Sequence, residues 1–202
     1  MLDAATRRLM DPGLNRIGRV LAARGISANA VTLVGLVLGL VAAGLIAREA
    51  SMLALVPLLA SRLADGLDGA VARATQRTDF GGYLDITADF LFYGVIPMGF
   101  VWADPSVNGV AGAFLLTSFY FNGASFLGYA VLAEKQGLTT QSQGIKSLYY
   151  SNGILEGTET IIFFIALCLW PGQFATMAWI FGMLTLATGI LRVFGAYRMF
   201  RG

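Results

Sequence analysis

Long apolar stretches separated by short polar breaks dominate the chain from about residue 28 to its end. About 20 apolar residues form a helix long enough to cross the hydrocarbon core of a bilayer. The pattern therefore predicts an all-α, polytopic membrane protein with six transmembrane helices, at about residues 28–47, 52–74, 80–102, 106–133, 147–170 and 173–198. The chain has 202 residues, so these spans use most of it and indicate a single membrane domain over residues 1–202.

A shorter amphipathic segment precedes the first span. Asp11-Pro12 is typical of a helix start and Gly25 of a helix end. Between them, apolar residues fall on one face and arginines on the other. The pattern predicts a short helix at residues 11–24 that lies on the membrane surface.

Polar residues also mark the starts of two spans. Asp79 is expected to cap the third span, because a carboxylate can accept hydrogen bonds from the first backbone N–H groups of a helix. Asp104 is predicted to cap the fourth span, and Pro105 to occupy its first helical position.

The distribution of positive charge predicts the orientation of the chain. With the N-terminus inside, thirteen of the fourteen lysines and arginines lie at or toward the cytoplasmic side, and only Arg48 falls outside. The positive-inside rule thus predicts that both termini lie in the cytoplasm, and we expect the protein in the inner (cytoplasmic) membrane. The chain contains no histidine, which removes the commonest general base. We expect the lipid bilayer and small molecules as partners, and no nucleic acid.

Four aspartates interrupt the apolar pattern between residues 65 and 89. Acidic side chains at membrane depth are costly and usually mark a functional site. Asp65 and Asp68 share one helix face, and so do Asp85 and Asp89, because residues three or four apart are neighbours on a helix. Carboxylates on neighbouring antiparallel helices suit hard cations such as Mg²⁺ or Mn²⁺. The sequence therefore predicts two such ions at these aspartates, an arrangement used in phosphoryl chemistry.

The pattern around these aspartates, D-x2-D-G-x2-A-R, a spacer and G-x3-D-x3-D, resembles the signature of the CDP-alcohol phosphotransferases. These are integral membrane enzymes that make phospholipid headgroup bonds with release of CMP. The spacer between Arg73 and Gly81 has seven residues, where we expect eight. The resemblance implies that all four aspartates ligate metal and that Asp89 is also the general base. It further implies contacts to the cytidine diphosphate at Gly69, Ala72, Arg73 and Thr78.

Further candidate residues lie outside this signature. Asn29-Ala-Val-Thr32 resembles the family's usual P-N-x2-T at the first span, with Ala28 in place of the proline, and adds Asn29 and Thr32 as nucleotide contacts. Three basic residues either bind a phosphate on the acceptor or neutralise an acidic side chain. These are Arg62, Lys146 and Arg192. The roles of Glu156 and Glu159 stay open.

The resemblance implies metal-dependent transfer of a phosphatidyl group from CDP-diacylglycerol to the hydroxyl of a small polar alcohol, with release of CMP. Candidate acceptors are glycerol 3-phosphate, inositol or its phosphate, and serine. The alternative within the family is transfer from CDP-choline or CDP-ethanolamine to diacylglycerol. Resemblance also leads us to expect a homodimer.

Two other classes of membrane protein use intramembrane acidic residues. A prenyltransferase would need a second aspartate-rich motif on a later span, and only Glu156 and Glu159 are acidic there. A cation transporter binds cations through such residues too. It would leave Gly69 and Arg73 without a role, and the chain shows no internal repeat. Protection of the fold by CDP or CMP would distinguish the enzyme from the transporter.

Overall fold

The structure is a computed structural model that describes residues 3–137, 155 and 157–201. Within these residues every regular element is helical, which confirms the all-α prediction for them. The described residues form seven α-helices and one 3₁₀ turn at Pro171–Gln173. The helices are α1 (Asp3–Ala23), α2 (Ala28–Ile46), α3 (Ser51–Ala74), α4 (Asp79–Ala103), α5 (Pro105–Lys135), α6 (Gly157–Leu169) and α7 (Phe174–Phe200).

Four segments of the described residues are long and apolar enough to cross a membrane: α2, α4, α5, and the 3₁₀ turn together with α7. The protein is thus an integral membrane protein. Helix α3 has 24 residues but carries four charged side chains, and α6 has 13 residues. Much of the chain between α5 and α6, including part of the predicted span at 147–170, lies outside the described residues. The count of six spans therefore stays a prediction.

Helix α1 is longer than the predicted surface helix. It begins at Asp3 rather than at Asp11 and continues through Pro12. A proline inside a helix removes one backbone hydrogen bond. The residues before it are mostly alanine, arginine, leucine and methionine, which favour the helix, so it extends past the proline. Its position on a membrane surface remains a prediction.

Helix α4 begins with a different cap from the predicted one. The side chain of Thr78, rather than that of Asp79, accepts a hydrogen bond from the Gly81 N–H at 3.0 Å. Asp79 is instead the first helical residue. Both positions suit a cap by residue type, and the extended backbone of Thr78 decides between them.

The predicted end of α1 and start of α5 are confirmed. Gly25 has a φ of 77°, the left-handed conformation that lets a helix stop. At the start of α5, Asp104 accepts hydrogen bonds from the Ser106 hydroxyl and from the N–H groups of Ser106 and Val107. These bonds, chiefly that from the Ser106 hydroxyl, hold the pKa of the Asp104 carboxyl below its ordinary value.

Helix α2 packs against both α3 and α4, while α5 packs along α7. Glycines allow α3 and α4 to pack closely on α2. A Cβ at Gly35 would lie 3.2 Å from the Cβ of Ala64 on α3, and a Cβ at Gly99 of α4 would lie 2.8 Å from the carbonyl oxygen of Ala43. Small residues at such crossings are typical of helix packing in membranes. Helices α3 and α4 are therefore both held on α2.

Aromatic side chains join α4, α6 and α7. Phe92 of α4 meets Phe164 of α6 edge to face, with ring centroids 6.0 Å apart. Phe163 stacks on Phe181 of α7, with centroids 4.0 Å apart. Phe92 lies one helical turn from Asp89, so this core supports the aspartate-bearing part of α4.

Candidate active site

The four predicted aspartates lie on α3 and α4. Asp65 and Asp68 belong to α3, and Asp85 and Asp89 belong to α4. The two helices make few direct backbone approaches to each other, since both pack on α2. The acidic side chains nevertheless interact across the space between α3 and α4.

The carboxylates are close enough to repel one another. That of Asp89 acts electrostatically on Asp65, Asp68 and Asp85. In the part of the chain that the structure describes, no group of three or more such side chains is arranged to hold a metal ion as it stands. The donor set nevertheless fits hard divalent cations, because carboxylate oxygens are their preferred ligands and the clustered negative charge needs neutralising. The metal-binding role of these aspartates stays a prediction.

Arg62 lies among the aspartates. Its Nη1 donates a hydrogen bond to Oδ1 of Asp89 at 2.7 Å and lies 3.6 Å from Oδ1 of Asp65. The guanidinium carbon is 3.6 Å from the centroid of the Phe92 ring, and the Arg62 side chain is only 10% exposed. Of the two roles predicted for Arg62, these contacts favour neutralisation of an acidic residue over binding of a phosphate.

Thr32 contacts a predicted metal ligand directly. Its hydroxyl donates a hydrogen bond to Oδ2 of Asp68 at 2.5 Å, and both side chains are buried. Thr32 was predicted to contact the nucleotide, whereas this bond orients Asp68. The hydroxyl of Ser61, a residue that no sequence motif singled out, donates to the Gly35 carbonyl at 2.7 Å and accepts from Arg62.

A small recess opens beside these groups, with room for about one water molecule. It is lined by Thr32, Gly35, Leu36, Ser61, Arg62, Asp65, Asp68 and Ala88. Asp65 and Asp68 of α3 thus border a small opening in the surface of the cluster.

Two predicted nucleotide contacts meet at the start of α4. A Cβ at Gly81 would lie 2.9 Å from Oγ1 of Thr78 and 3.2 Å from Oδ1 of Asn29. The lack of a side chain at Gly81 thus leaves room for both polar groups. Asn29 comes from α2, so the fold brings together residues that are far apart in the sequence.

Arg73 lies in the last turn of α3 and contacts α1. Its Nε and Nη2 donate to Oδ1 of Asn15 at 3.1 and 2.9 Å. A Cβ at Gly69 would lie 3.3 Å from Nη1 of Arg73, so glycine keeps this part of α3 open beside the guanidinium. Ala72 lies half-buried on the same helix. Sequence reasoning missed Asn15, because one polar residue on an amphipathic helix carries no distinguishing signal.

Helix α1 packs closely on the segment of α3 that carries the motif. A Cβ at Gly18 would lie 2.7 Å from the Cβ of Ala70, and one at Gly66 would lie 3.0 Å from Cδ1 of Leu14. Leu14 is 8% exposed. This contact fixes the position from which Asn15 reaches Arg73.

Arg192 is the remaining predicted acceptor-binding residue that the structure describes. It lies on α7 and is 7% exposed. Its Nη1 donates to the carbonyl oxygen and Oδ1 of Asn122 at 3.0 and 2.9 Å, and to Oγ of Ser125 at 2.9 Å. These bonds anchor it to α5. Lys146 and Glu156 lie outside the described residues.

Comparison with known proteins agrees with this arrangement. The profile of the CDP-alcohol phosphatidyltransferases matches residues 25–191. The chain is 45% identical to the inner membrane protein YnjF of Escherichia coli, over 98% of this chain and 96% of that protein. It is 28% identical to the archaetidylinositol phosphate synthase of Pyrococcus horikoshii, over 84% of this chain and 91% of that enzyme.

The fold also matches a solved structure. This is the Mycobacterium tuberculosis phosphatidylinositol phosphate synthase (PgsA1) with CDP-DAG bound, with a TM-score of 0.73, 22% identity, and coverage of 91% of this chain and 93% of that one. The same enzyme in complex with manganese and citrate matches with a TM-score of 0.67 and 22% identity, over 91% of this chain and 88% of that one.

The fold is helical and membrane-embedded, and carboxylates gather between two of its helices. Together with the matching family profile, this defines the protein as a membrane-embedded transferase of substituted phosphate groups. The profile covers most of the chain, and a relative aligns over nearly all of it. The chain belongs to the CDP-alcohol phosphatidyltransferase family, a family of enzymes of phospholipid biosynthesis. The resemblance predicted from the motif is confirmed.

Proposed function

We propose that this protein transfers a phosphatidyl group from CDP-diacylglycerol to the hydroxyl of a small polar alcohol and releases CMP, in a reaction that requires a divalent cation. The observation that carries the proposal is the gathering of Asp65, Asp68, Asp85 and Asp89 between α3 and α4 at the spacing of the family signature. Membership of the family supports the reaction type.

Among the candidate acceptors we place inositol phosphate first, ahead of glycerol 3-phosphate, inositol and serine. The Pyrococcus relative is an archaetidylinositol phosphate synthase, and its sequence aligns with most of this chain. The guanidinium of Arg192 would suit a phosphorylated acceptor, because arginine forms paired hydrogen bonds with phosphate. Lys146 and Arg62 are weaker candidates for the same role.

In the proposed reaction, Asp89 accepts the proton of the acceptor hydroxyl. The acceptor oxygen then forms a bond to the phosphorus that carries the diacylglycerol, the bond from this phosphorus to the bridging oxygen breaks, and CMP leaves with that oxygen. Residues that contact the cytidine diphosphate hold the donor during this step: Gly69, Ala72, Arg73, Thr78, Asn29 and Thr32. When bound at the four aspartates, two Mg²⁺ or Mn²⁺ ions would neutralise the diphosphate and stabilise the charge of the leaving group.

We further propose a single membrane domain with six spans and with both termini and the active site in the cytoplasm. Helix α3 would be about 36 Å long at the usual rise per residue, which is enough to cross the bilayer core. Three of its charged residues contact other helices: Asp68 bonds to α2, Arg62 to α4 and Arg73 to α1. We also propose that the protein forms a homodimer in the membrane.

Release of CMP by the detergent-purified protein tests the proposed reaction. CDP-diacylglycerol and Mg²⁺ or Mn²⁺ are supplied, and the acceptors are added one at a time. We expect CMP with one acceptor and a loss of at least about 100-fold in Asp89→Asn, the usual contribution of a positioned base. Asp79→Asn is the matched control, because Asp79 is an exposed aspartate at the start of the same helix.

Other outcomes would contradict the proposal. Turnover of CDP-choline or CDP-ethanolamine with diacylglycerol, but not of CDP-diacylglycerol, would move the protein to the other branch of the family. No turnover of any donor, together with no effect of CMP on thermal stability in the presence of Mg²⁺, would favour a role in binding or transporting cations.

A further inference from the structure

Arg62 is an unusual residue for its position. It lies in the middle of α3, three residues before the first aspartate of the family signature, and its side chain is 10% exposed. Charged side chains at such depth are rare and are usually paired. Its partners are Asp89, at 2.7 Å, and Asp65, at 3.6 Å, which are two of the residues proposed to bind metal.

The surroundings of Arg62 hold it against these carboxylates even though its hydrogen bonding is incomplete. Its Nε is buried and has no hydrogen-bond partner among the described residues. Its guanidinium lies 3.6 Å from the centroid of the buried Phe92 ring, and its Nη2 donates to Ser61 at 3.2 Å. A buried donor without a partner is unfavourable, so the ion pairs and the aromatic contact must fix the side chain here.

The charges of the cluster explain why a positive group is held there. Four acidic side chains surround one guanidinium, so acidic groups outnumber the basic one in the cluster. Arg62 donates its short hydrogen bond to Oδ1 of Asp89, the later of the two cluster aspartates on α4. The same oxygen cannot keep a short hydrogen bond to Arg62 and bind a divalent cation, because the cation and the guanidinium repel each other at such distances.

We propose that Arg62 is a built-in counter-ion that competes with a divalent cation for Asp89 and thereby sets the affinity of the site for the metal. The inference rests on the proposed function in one respect, namely that Asp89 is a metal ligand. Arg62 then stabilises the acidic cluster before the metal binds and must give up Oδ1 of Asp89 when it does. The cost of breaking this ion pair lowers the affinity for the cation.

Binding of Mn²⁺ without nucleotide or acceptor tests this inference. Free Mn²⁺ is followed by electron paramagnetic resonance during titration of the purified protein. We expect Arg62→Gln to bind Mn²⁺ at least about tenfold more tightly than the wild type, because a unit charge a few ångströms from a divalent cation has an effect of this scale even in a water-like dielectric. Arg62→Lys keeps the charge but loses the planar guanidinium that lies on Phe92, and it should stay within about threefold of the wild type.

Two further variants make the result specific. Arg48→Gln removes the same charge at the exposed turn between α2 and α3 and should leave the affinity unchanged. Phe92→Leu keeps every charge but removes the ring beside the guanidinium, and we expect it to tighten Mn²⁺ binding by about two- to threefold, since the cation–π contact no longer holds Arg62. This variant tests the inference even if Arg62→Gln does not fold.

The inference is overturned if folded Arg62→Gln binds Mn²⁺ no more tightly than the wild type, or if Arg48→Gln tightens binding equally. It is also overturned if Arg62→Gln does not fold and Phe92→Leu leaves the affinity unchanged. CMP release is measured separately. Failure of CMP release in the wild type would count against the proposed function alone, whereas CMP release with unchanged Mn²⁺ affinity in the variants would count against Arg62 alone.

Discussion

Replacement of Gly18 by alanine would test how α1 is docked on the motif-bearing helix. A Cβ at this position would lie 2.7 Å from the Cβ and 2.8 Å from the carbonyl carbon of Ala70. Carbon atoms pack best about 3.5–4.0 Å apart, so α1 would have to move away from α3 by about 1 Å. A change of side-chain rotamer cannot relieve the contact, because part of it is with the backbone.

The same movement would disturb the polar contact next to it. Oδ1 of Asn15 accepts hydrogen bonds of 3.1 and 2.9 Å from Arg73, and a shift of about 1 Å takes both beyond hydrogen-bonding distance. Overpacking typically costs about 1–3 kcal/mol, and the higher helix propensity of alanine offsets about 1 kcal/mol of this. We therefore expect Gly18→Ala to lower the free energy of unfolding by up to about 2 kcal/mol and to weaken CMP binding.

Gly13→Ala is the matched control. It lies on the same helix, and no atom lies within 4 Å of the Cβ that would be added. Helix propensity alone then predicts a stabilisation of up to about 1 kcal/mol. Thermal unfolding in detergent and calorimetric titration with CMP compare the two variants. Equal melting temperatures and wild-type CMP affinity in Gly18→Ala would refute the reasoning.

Three other predictions follow from single contacts. Thr32→Val keeps the shape of the side chain but removes the hydroxyl that α2 donates to Asp68, so thermal unfolding should show a loss of about 1.5–3 kcal/mol, and no loss would show that the bond is not needed. Asn15→Ala should raise the KM for CDP-diacylglycerol several-fold with little change in kcat, because Arg73 loses its support; an effect on kcat alone would contradict this. Asp104→Ala should melt at a lower temperature than the wild type at neutral pH. Because the folded state lowers the pKa of Asp104, the difference should shrink as the pH falls from the ordinary value of 3.8 through the lowered one, and a difference that is independent of pH would exclude the charged cap as its cause.

The helices were largely predictable because their apolar runs are long. The observed α2 (Ala28–Ile46) differs from the predicted span at 28–47 by one residue at its end, and α4 (Asp79–Ala103) differs from the span at 80–102 by one residue at each end. The start of α1 was wrong, because a proline in a propensity-rich segment does not have to mark a helix start. The cap of α4 was wrong as well, since two adjacent residues both suit a cap and the backbone conformation, which the sequence does not reveal, chooses Thr78.

The candidate site was predictable only as far as it depends on spacing along a helix. Intervals of three and four residues put the aspartates on two helix faces, and the structure gathers them. The partners of these residues come from elsewhere in the chain: Arg62 reaches Asp89 across 27 residues, and Asn15 reaches Arg73 across 58. Such pairs depend on how each helix is rotated and docked on its neighbour, which no local pattern encodes.

The division of the helices at Asp104-Pro105 has a consequence for how such enzymes can diversify. Every residue of the signature, together with Asn15, Thr32 and Arg62, precedes this turn, whereas Arg192 and its anchors follow it. Under the proposed function, the nucleotide contacts and the general base lie in one uninterrupted stretch of chain, and Arg192, the first candidate for the acceptor's phosphate, lies in the stretch that follows. A chimera of two relatives joined at this turn would pair the donor chemistry of one with the acceptor side of the other, provided that the aromatic contacts between α4 and α6 are preserved. Evolution could exchange headgroups by the same route, by varying the later helices while the earlier ones are kept intact.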